Sequence, residues 1–473
     1  MAGIGFELKK IFREQSIFHT LRGSIYSSFA TIGPVVMIVT ALIAMYIVLD
    51  YVKVGYAERD LFASTILYVF IFALIITAPL NSVLSRYISD KIFEEKKEDI
   101  LPSYYIGLLV NVVMGACAGI PFAVFEIVVG KVNPLFVLLS YCMYTALMLV
   151  FFNMTYISAL KEYKRISFAF IAGMVVTFIV AFVSVKLFKM AVTTGIILGF
   201  TVGFWIIAFL LFSLVKGFFS ENSKNYREVI KYIKYFKLLF LTNLFYILGL
   251  YVHNFVFWWF SDFSIVVRNT FRSAPVYDMA TCLAMFTNIS TMVIFMVQVE
   301  VNFHSRYQAY CQEIIGGTGS YIRAAKREMF RTLIKEVLHI ISIQMIITVI
   351  IFLVAIIFLP QFGFGGMVMV IYPGLAAGYF LIFIMYSLVI FLYYFDDEKG
   401  AMFTTLAFLV FTFLGTLLSL RLSSNFYGLG VFIGAFAGWT VGFYRLKNIE
   451  KNLDRHIYCS GELIKKVYLD SSH

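Results

Sequence analysis

The sequence is a succession of about twelve long apolar segments separated by short connections, and every second connection is rich in Lys and Arg. A helix needs roughly 20 mainly apolar residues to cross the roughly 30 Å hydrocarbon core of a bilayer. Hydrophobic residues make up 61% of the 473 positions and charged residues only 14%, which excludes a soluble globular protein. The pattern predicts an all-α polytopic membrane protein, with about 12 transmembrane helices in two six-helix bundles around a central cavity.

The basic connections predict the orientation in the membrane. The predicted spans cover residues 24–49, 61–85, 103–129, 134–158, 166–185, 191–215, 238–260, 279–299, 337–359, 367–395, 401–420 and 427–444. Most of the 38 Lys and Arg residues lie in connections on the side of the N-terminus. Because cytoplasmic loops retain positive charge, the protein is predicted to lie in the cytoplasmic (inner) membrane with both termini cytoplasmic. Anchoring to anionic lipid headgroups explains the net charge of +11, and no nucleic-acid partner is expected.

A longer basic connection near the middle of the chain divides the spans into two sets of six. The predicted units are an interfacial amphipathic helix at 1–23, an N-terminal six-helix bundle at 24–215, a cytoplasmic linker at 216–237, a C-terminal six-helix bundle at 238–444 and a cytoplasmic tail at 445–473. Within the second bundle, residues 300–336 are predicted to form two short cytoplasmic amphipathic helices around a glycine-rich turn. In such a layout the substrate path runs between the two halves.

The connections leave no room for a catalytic domain, so the chain is not expected to be an enzyme. The longest is about 37 residues, below the roughly 40 residues at which a domain usually needs disulfides or metals to fold. The five cysteines show no metal-ligand spacing and no nucleotide-binding motif occurs, so no cofactor or metal is expected. The first span carries no Asp or Glu, which disfavours a cation-coupled antiporter, because such a protein usually needs a buried carboxylate.

Polar and aromatic residues on the seventh span predict a substrate path. Asn243, Asn254 and Trp258 lie at helical spacing and combine amides with an aromatic ring, which together suit the binding of sugars. His253 in the same span and Asp278 at the outer end of the eighth complete the predicted path. The same residues also fit plainer roles, since aromatic rings are common lipid-facing residues and a lone His or a helix-end Asp often serves packing.

Four further residues are predicted to serve gating or an interface between helices. Glu126 lies near the outer end of the third span, and Glu300 lies at the inner end of the eighth. Pro34 in the first span and Pro373 in the tenth each remove a backbone hydrogen bond, which favours bending. Ordinary helix-end carboxylates and static kinks remain as alternatives.

Several segments resemble one family of membrane proteins. The opening string MAGIGFEL resembles the start of PelG proteins, the membrane subunit of Pel exopolysaccharide systems. Further similarity lies around the eighth span, at residues 277–280, 297–300, Phe303, Tyr307 and Tyr310. The similarity of layout covers essentially the whole chain. PelG proteins in turn resemble the polysaccharide transporters of the superfamily that also contains multidrug exporters and lipid-linked oligosaccharide flippases.

The resemblance implies a twelve-helix transporter that exports Pel polymer, which is rich in N-acetylgalactosamine and partly deacetylated. It also implies partners, namely a cytosolic Pel glycosyltransferase, a cyclic-di-GMP-sensing membrane subunit and other Pel membrane subunits. It transfers no individual site residue. Two alternatives remain at this point: a flippase for a lipid-linked oligosaccharide, and a non-conducting membrane scaffold for a polysaccharide synthase.

Overall fold

The computed structural model describes residues 37–45, 47–49, 52–160, 163–298, 303–362 and 365–459. The predicted interfacial helix at 1–23, Pro34 and Glu300 lie outside the described residues. So does the end of the predicted cytoplasmic tail, from residue 460 onward.

The described chain is almost entirely helical, which confirms the all-α polytopic class. The helices are α1 (Met37–Leu49), α2 (Tyr56–Phe93), α3 (Ile100–Val128), α4 (Pro134–Leu160), α5 (Tyr163–Lys186), α6 (Val192–Phe218), α7 (Tyr226–Tyr235), α8 (Lys237–Phe260), α9 (Pro275–Gln298), α10 (His304–Gly316), α11 (Gly319–Phe358), α12 (Met367–Tyr394), α13 (Glu398–Ser419) and α14 (Leu429–Cys459). Ten helices among the described residues are long and apolar enough to cross a membrane. Every predicted span from the second onward coincides with a helix.

Some helices run well beyond the predicted spans, always at the end of the bundle that carries the basic connections. The helix α2 continues to Phe93, and α14 continues to Cys459. The helix α11 joins the second predicted amphipathic helix to the ninth span in one run of 40 residues. Hydropathy marks where a helix leaves the hydrocarbon, but a helix ends only where its residues stop it, and residues 319–358 include no internal Gly or Pro.

The helices form two packed groups. Helices α2–α6 surround one apolar core, while α8, α9 and α11–α14 surround a second. The two groups meet mainly along α2 and α8. The helix α10 and the start of α11 do not lie free, because Phe303, Tyr310 and Phe330 are buried against the end of α12. We refer to the end of the molecule that holds residues 86–99, 219–236, 303–330 and 393–398 as the basic end.

Small residues allow close packing within each group. In the second group α13 lies directly against α14, where Gly430 and Gly434 face Thr416 and Thr412. A Cβ atom at either glycine would overlap the facing threonine. Without a hydrophobic force between helices in lipid, such close backbone approach provides the dispersion contacts that hold them together.

A short β-hairpin at the opposite end is not predicted from the sequence. Strands β1 (Ile265–Val267) and β2 (Phe271–Ser273) pair antiparallel, with Val267 opposite Phe271. The turn residues Arg268 and Asn269 have φ values of 50° and 56°, as a tight hairpin turn requires at both central positions. Three-residue strands are too short to show a period-2 pattern. We refer to this end of the molecule as the hairpin end.

Candidate transport interface

The structure gathers three of the predicted path residues into one hydrogen-bonded cluster. Asp278, in the first turn of α9, accepts hydrogen bonds from Trp258 Nε1 at 2.9 and 3.0 Å and from Asn254 Nδ2 at 2.8 Å. It also accepts one from the backbone amide of Ala274 at 3.0 Å, which closes the start of the helix. The Asn254 and Trp258 side chains are buried. In this conformation the cluster holds α8 against α9 and does not line an open channel.

The other two predicted path residues lie apart from this cluster. His253 is fully buried and bridges two tyrosines, with Nδ1 2.9 Å from the Tyr277 hydroxyl and Nε2 3.3 Å from the Tyr379 hydroxyl. It therefore connects α8, α9 and α12. Asn243 is half-buried and donates to the backbone carbonyl of Leu239 at 3.3 Å. Adjacent residues of a helix point about 100° apart, which is why His253 and Asn254 serve different neighbours.

Pro373 lies inside α12, which continues through it from Met367 to Tyr394. The following residue, Gly374, makes the close contact. Its backbone packs against the backbone of Gly428, immediately before α14, and a Cβ at Gly428 would overlap it. The Pro–Gly pair thus marks a point where α12 and α14 approach closely.

At the hairpin end, Tyr68 of α2 connects the two helix groups. Its hydroxyl donates to the backbone carbonyl of Arg272 at 2.8 Å and accepts from the Arg272 amide at 3.0 Å. Its ring stacks on Trp258 of α8, with centroids 4.9 Å apart, and meets the edge of Phe271 at 4.9 Å. The Ser64 and Ser273 hydroxyl oxygens lie 3.4 Å apart beside it. These contacts close the interface between the groups at this end.

At the basic end, Arg86 of α2 connects the same two groups. Its guanidinium lies 3.4 Å from Asp396, in the turn between α12 and α13, and 3.1 Å from Glu398, the first residue of α13. It also stacks over the ring of Phe236 at 4.3 Å. The acid between them in the chain, Asp397, instead caps α13 and pairs with Arg445 of α14. Within the described residues, no group of three or more His, Cys, Asp or Glu could hold a metal.

The end of α2 is also tied to α7, in the linker between the two groups. Lys91 is almost fully buried and pairs with Glu228 at 2.6 Å, Glu94 at 3.1 Å and Asp99 at 3.4 Å. Tyr232 of α7 donates to Asp90 at 2.6 Å. Burial and the adjacent Asp90 carboxylate raise the pKa of Tyr232 far above its usual range, so this hydroxyl stays a donor.

A cavity of about 190 Å³ lies within the first group of helices, between α2, α3 and α4. Glu126 of α3, one of the predicted gating residues, lines it together with aromatic side chains, and Phe271 of the hairpin forms part of its wall. The cavity lies to one side of the interface between the groups, which at the hairpin end is filled by the stacked Tyr68 and Trp258 rings.

The sequence of a known family matches nearly the whole chain. The matched family is PelG, described as an exopolysaccharide exporter family (EPS-E), and the match spans residues 1–458. The chain belongs to the PelG family. The resemblance drawn from the sequence is thereby confirmed, and by its family the chain is a membrane transporter. No curated protein matches the sequence closely enough to add a more specific activity.

Solved structures show which fold this PelG-family chain adopts. The Vibrio cholerae MATE transporter VcmN in its bent form is similar with a TM-score of 0.62 and 13% identity, covering 95% of this chain and 99% of that one. A Pyrococcus furiosus MOP-superfamily transporter, whose binding pocket is described as having reverse polarity, gives 0.62 and 14%, covering 91% and 96%. An inward-facing MATE-family transporter gives 0.58 and 13%, covering 86% and 95%. At these identities the likeness shows the fold alone.

Proposed function

We propose that this PelG-family protein exports a Pel-type exopolysaccharide, an N-acetylgalactosamine-rich polymer of the biofilm matrix, across the cytoplasmic membrane. In this proposal a cytosolic glycosyltransferase makes the polymer, and a cyclic-di-GMP-sensing membrane subunit and other Pel membrane subunits complete the assembly. The chain itself carries out no sugar chemistry. The basic end faces the cytoplasm, in keeping with its Lys and Arg residues.

One observation carries the proposal. The two helix groups meet along α2 and α8, and each end of that interface is closed by a small, reversible set of contacts. Arg86 with Glu398 closes the basic end, and Tyr68 with the hairpin closes the other. Two rigid groups joined in this way can open at one end while remaining closed at the other, as alternating access requires.

The buried Asp278 cluster is compatible with a path that forms only when the groups separate. Its members carry amide, indole and carboxylate groups, which bind sugar hydroxyls and the apolar faces of sugar rings. In the closed interface these groups satisfy one another, apart from Asn254 Oδ1, which is buried and has no hydrogen-bond partner among the described residues. Separation of α2 from α8 would uncover the Trp258 ring, on which Tyr68 stacks in the closed interface.

A reversible covalent lock at the hairpin end tests the proposal. The change is Ser64→Cys with Ser273→Cys, in a chain whose five native cysteines are replaced by Ser. The serine oxygens are 3.4 Å apart, so a disulfide of about 2.05 Å between the sulfurs requires only a small adjustment. Inverted membrane vesicles containing the glycosyltransferase are supplied with radiolabelled sugar nucleotide, and polymer inside the vesicles is measured.

Oxidation should abolish polymer entry into the vesicles, and dithiothreitol should restore it, while total polymer synthesis continues. Each single cysteine variant is the matched control and should be insensitive to oxidation. Undiminished export through a fully cross-linked protein would exclude alternating access at this interface and would favour a non-conducting scaffold. Movement of a labelled lipid-linked oligosaccharide to the inner leaflet of the vesicle membrane, without polymer, would instead identify a flippase.

A further inference from the structure

The cavity in the first helix group contains a carboxylate with no compensating charge. Glu126 is only 4% exposed, and none of the described residues forms an ion pair or a side-chain hydrogen bond with it. Transfer of an unpaired carboxylate from water to such a place costs several kcal/mol. A buried acid avoids this cost by taking up a proton or by binding a cation, and an acid inside a membrane helix is therefore a candidate functional residue.

The walls of the cavity indicate what kind of group would bind. Six aromatic rings line it: Phe271 of the hairpin, and five from α2, α3 and α4, namely Tyr68, Phe72, Phe122, Tyr141 and Tyr144. The faces of aromatic rings attract organic cations, and most strongly where water is excluded. Tyr144 also places a buried hydroxyl there that has no hydrogen-bond partner among the described residues. A carboxylate within an aromatic enclosure is suited to an ammonium group.

A metal ion fits the same cavity poorly. Calcium and magnesium require about six oxygen ligands, and zinc requires three or four nitrogen, sulfur or oxygen ligands. Glu126 is the only Asp, Glu, His or Cys among the described lining residues. An organic cation needs one counter-ion and several rings, which is the set present.

The size and position of the cavity limit the ligand further. At about 190 Å³ it is smaller than the roughly 300–1,000 Å³ of pockets for drug-sized ligands, so it admits one small amine-bearing unit and not a length of polymer. Glu126 lies two residues before the end of α3, and only 11% of the most apolar stretch of this helix is buried inside the protein. The amine of a single sugar and the amine of a lipid headgroup can both reach that position.

We propose that this cavity is a binding site for a small organic ammonium group, with Glu126 as counter-ion and the surrounding rings as cation–π partners. The site is distinct from the Asp278 cluster, although Tyr68 lines the cavity and stacks on Trp258 of that cluster. If the cavity does not bind an ammonium group, the proposed export function still stands, because the cross-linking experiment tests export independently.

Calorimetric titration of the purified protein in phosphatidylglycerol nanodiscs tests the site, with galactosamine as the cationic probe and galactose as its uncharged match. Galactosamine should bind and galactose should not. Glu126→Gln, which keeps the shape of the side chain, should weaken galactosamine binding at least tenfold. Tyr141→Leu should weaken it roughly threefold, because one ring face is lost. Glu58→Gln, at an exposed acid at the start of α2, is the matched control and should leave the affinity unchanged.

A second lipid distinguishes the two sources of the ammonium group. In nanodiscs of phosphatidylethanolamine, a headgroup occupant would compete and lower the apparent galactosamine affinity, whereas a site reserved for sugar amines would show the same affinity in both lipids. Equal binding of galactose and galactosamine would overturn the proposal. So would an unchanged affinity in Glu126→Gln. Should that variant not fold, an unchanged affinity in Tyr141→Leu would overturn the proposal in its place.

Discussion

Removal of the Arg86 charge should open the interface at the basic end. Arg86→Gln removes the guanidinium, and with it the ion pairs with Glu398 and Asp396 and the stacking on Phe236. The Asp396 side chain is 53% exposed, so that pair contributes little. The Glu398 pair is more buried, with 29% and 20% of the two side chains exposed. It contributes up to about 1 kcal/mol, and the stacking adds about 0.5–1 kcal/mol.

A loss of about 1 kcal/mol multiplies the population of the open state about fivefold. The reporter is Val83→Cys. This position on α2 is fully buried and packs against Phe236 and Leu239, at the start of α8. Its rate of maleimide labelling, in the chain without native cysteines, should rise about fivefold with Arg86→Gln. Arg86→Lys keeps the charge but not the planar fork, and should give an intermediate rate.

A second reporter separates local opening from general loosening. Ser64→Cys lies at the hairpin end and is 3% exposed. Its labelling rate should not rise with Arg86→Gln, because the hairpin contacts are unaffected. Equal increases at both reporters would mean that the protein has merely lost stability. No increase at Val83→Cys would refute the view that Arg86 holds the basic end closed.

Three further changes test the contacts on which the fold and the interface depend. Tyr68→Phe removes both hydrogen bonds to the hairpin backbone, which costs about 1–3 kcal/mol. Amide hydrogen exchange in residues 265–273 should therefore accelerate about tenfold. Unchanged protection would show that packing alone holds the hairpin. Gly434→Ala places a methyl group against the facing threonine of α13 and should cost about 1–3 kcal/mol in thermal unfolding in detergent, whereas Gly217→Ala, which meets open space, should cost nothing. Lys91→Met leaves a buried acidic partner unpaired and should destabilise the protein by about 3–5 kcal/mol, while Lys96→Met, at a 53% exposed side chain, should stay within about 0.5 kcal/mol.

The large-scale fold could be predicted because the bilayer imposes a length on every span. Runs such as 192–215 are mainly apolar and carry no charged residue, and a lipid-buried backbone has no alternative to a helix. The ends of helices were less predictable. The stretch from residue 319 to 336 is amphipathic and basic, yet it is continuous with the ninth span because nothing in it stops a helix. Hydropathy shows where a helix lies in the hydrocarbon. Where the helix ends depends on residues such as Gly and Pro, which hydropathy does not measure.

The candidate site could be predicted in part. The sequence predicts that Asn254 and Trp258 lie on one face of a helix. Asp278 joins them because a short hairpin returns the chain beside the same helix. The partners of Arg86 and Tyr68 could not be predicted, because both pairings join positions about 200 residues or more apart. Alternation of basic connections places Arg86 and Glu398 on one side of the membrane, but nothing in the sequence gives their distance. The substrate role of all these residues stays a prediction.

The placement of Phe271 has a consequence for ligand binding. The hairpin belongs to the chain segment between α8 and α9, yet this ring forms part of the wall of a cavity in the other helix group. The ring is buried in the apolar core of the first helix group, so any movement of the hairpin relative to that group would change the cavity wall. A ligand whose affinity depends on that wall would bias the position of the hairpin by the same factor by which the hairpin changes its binding. Occupancy of the cavity and the position of the hairpin are thus linked at equilibrium through a single phenylalanine.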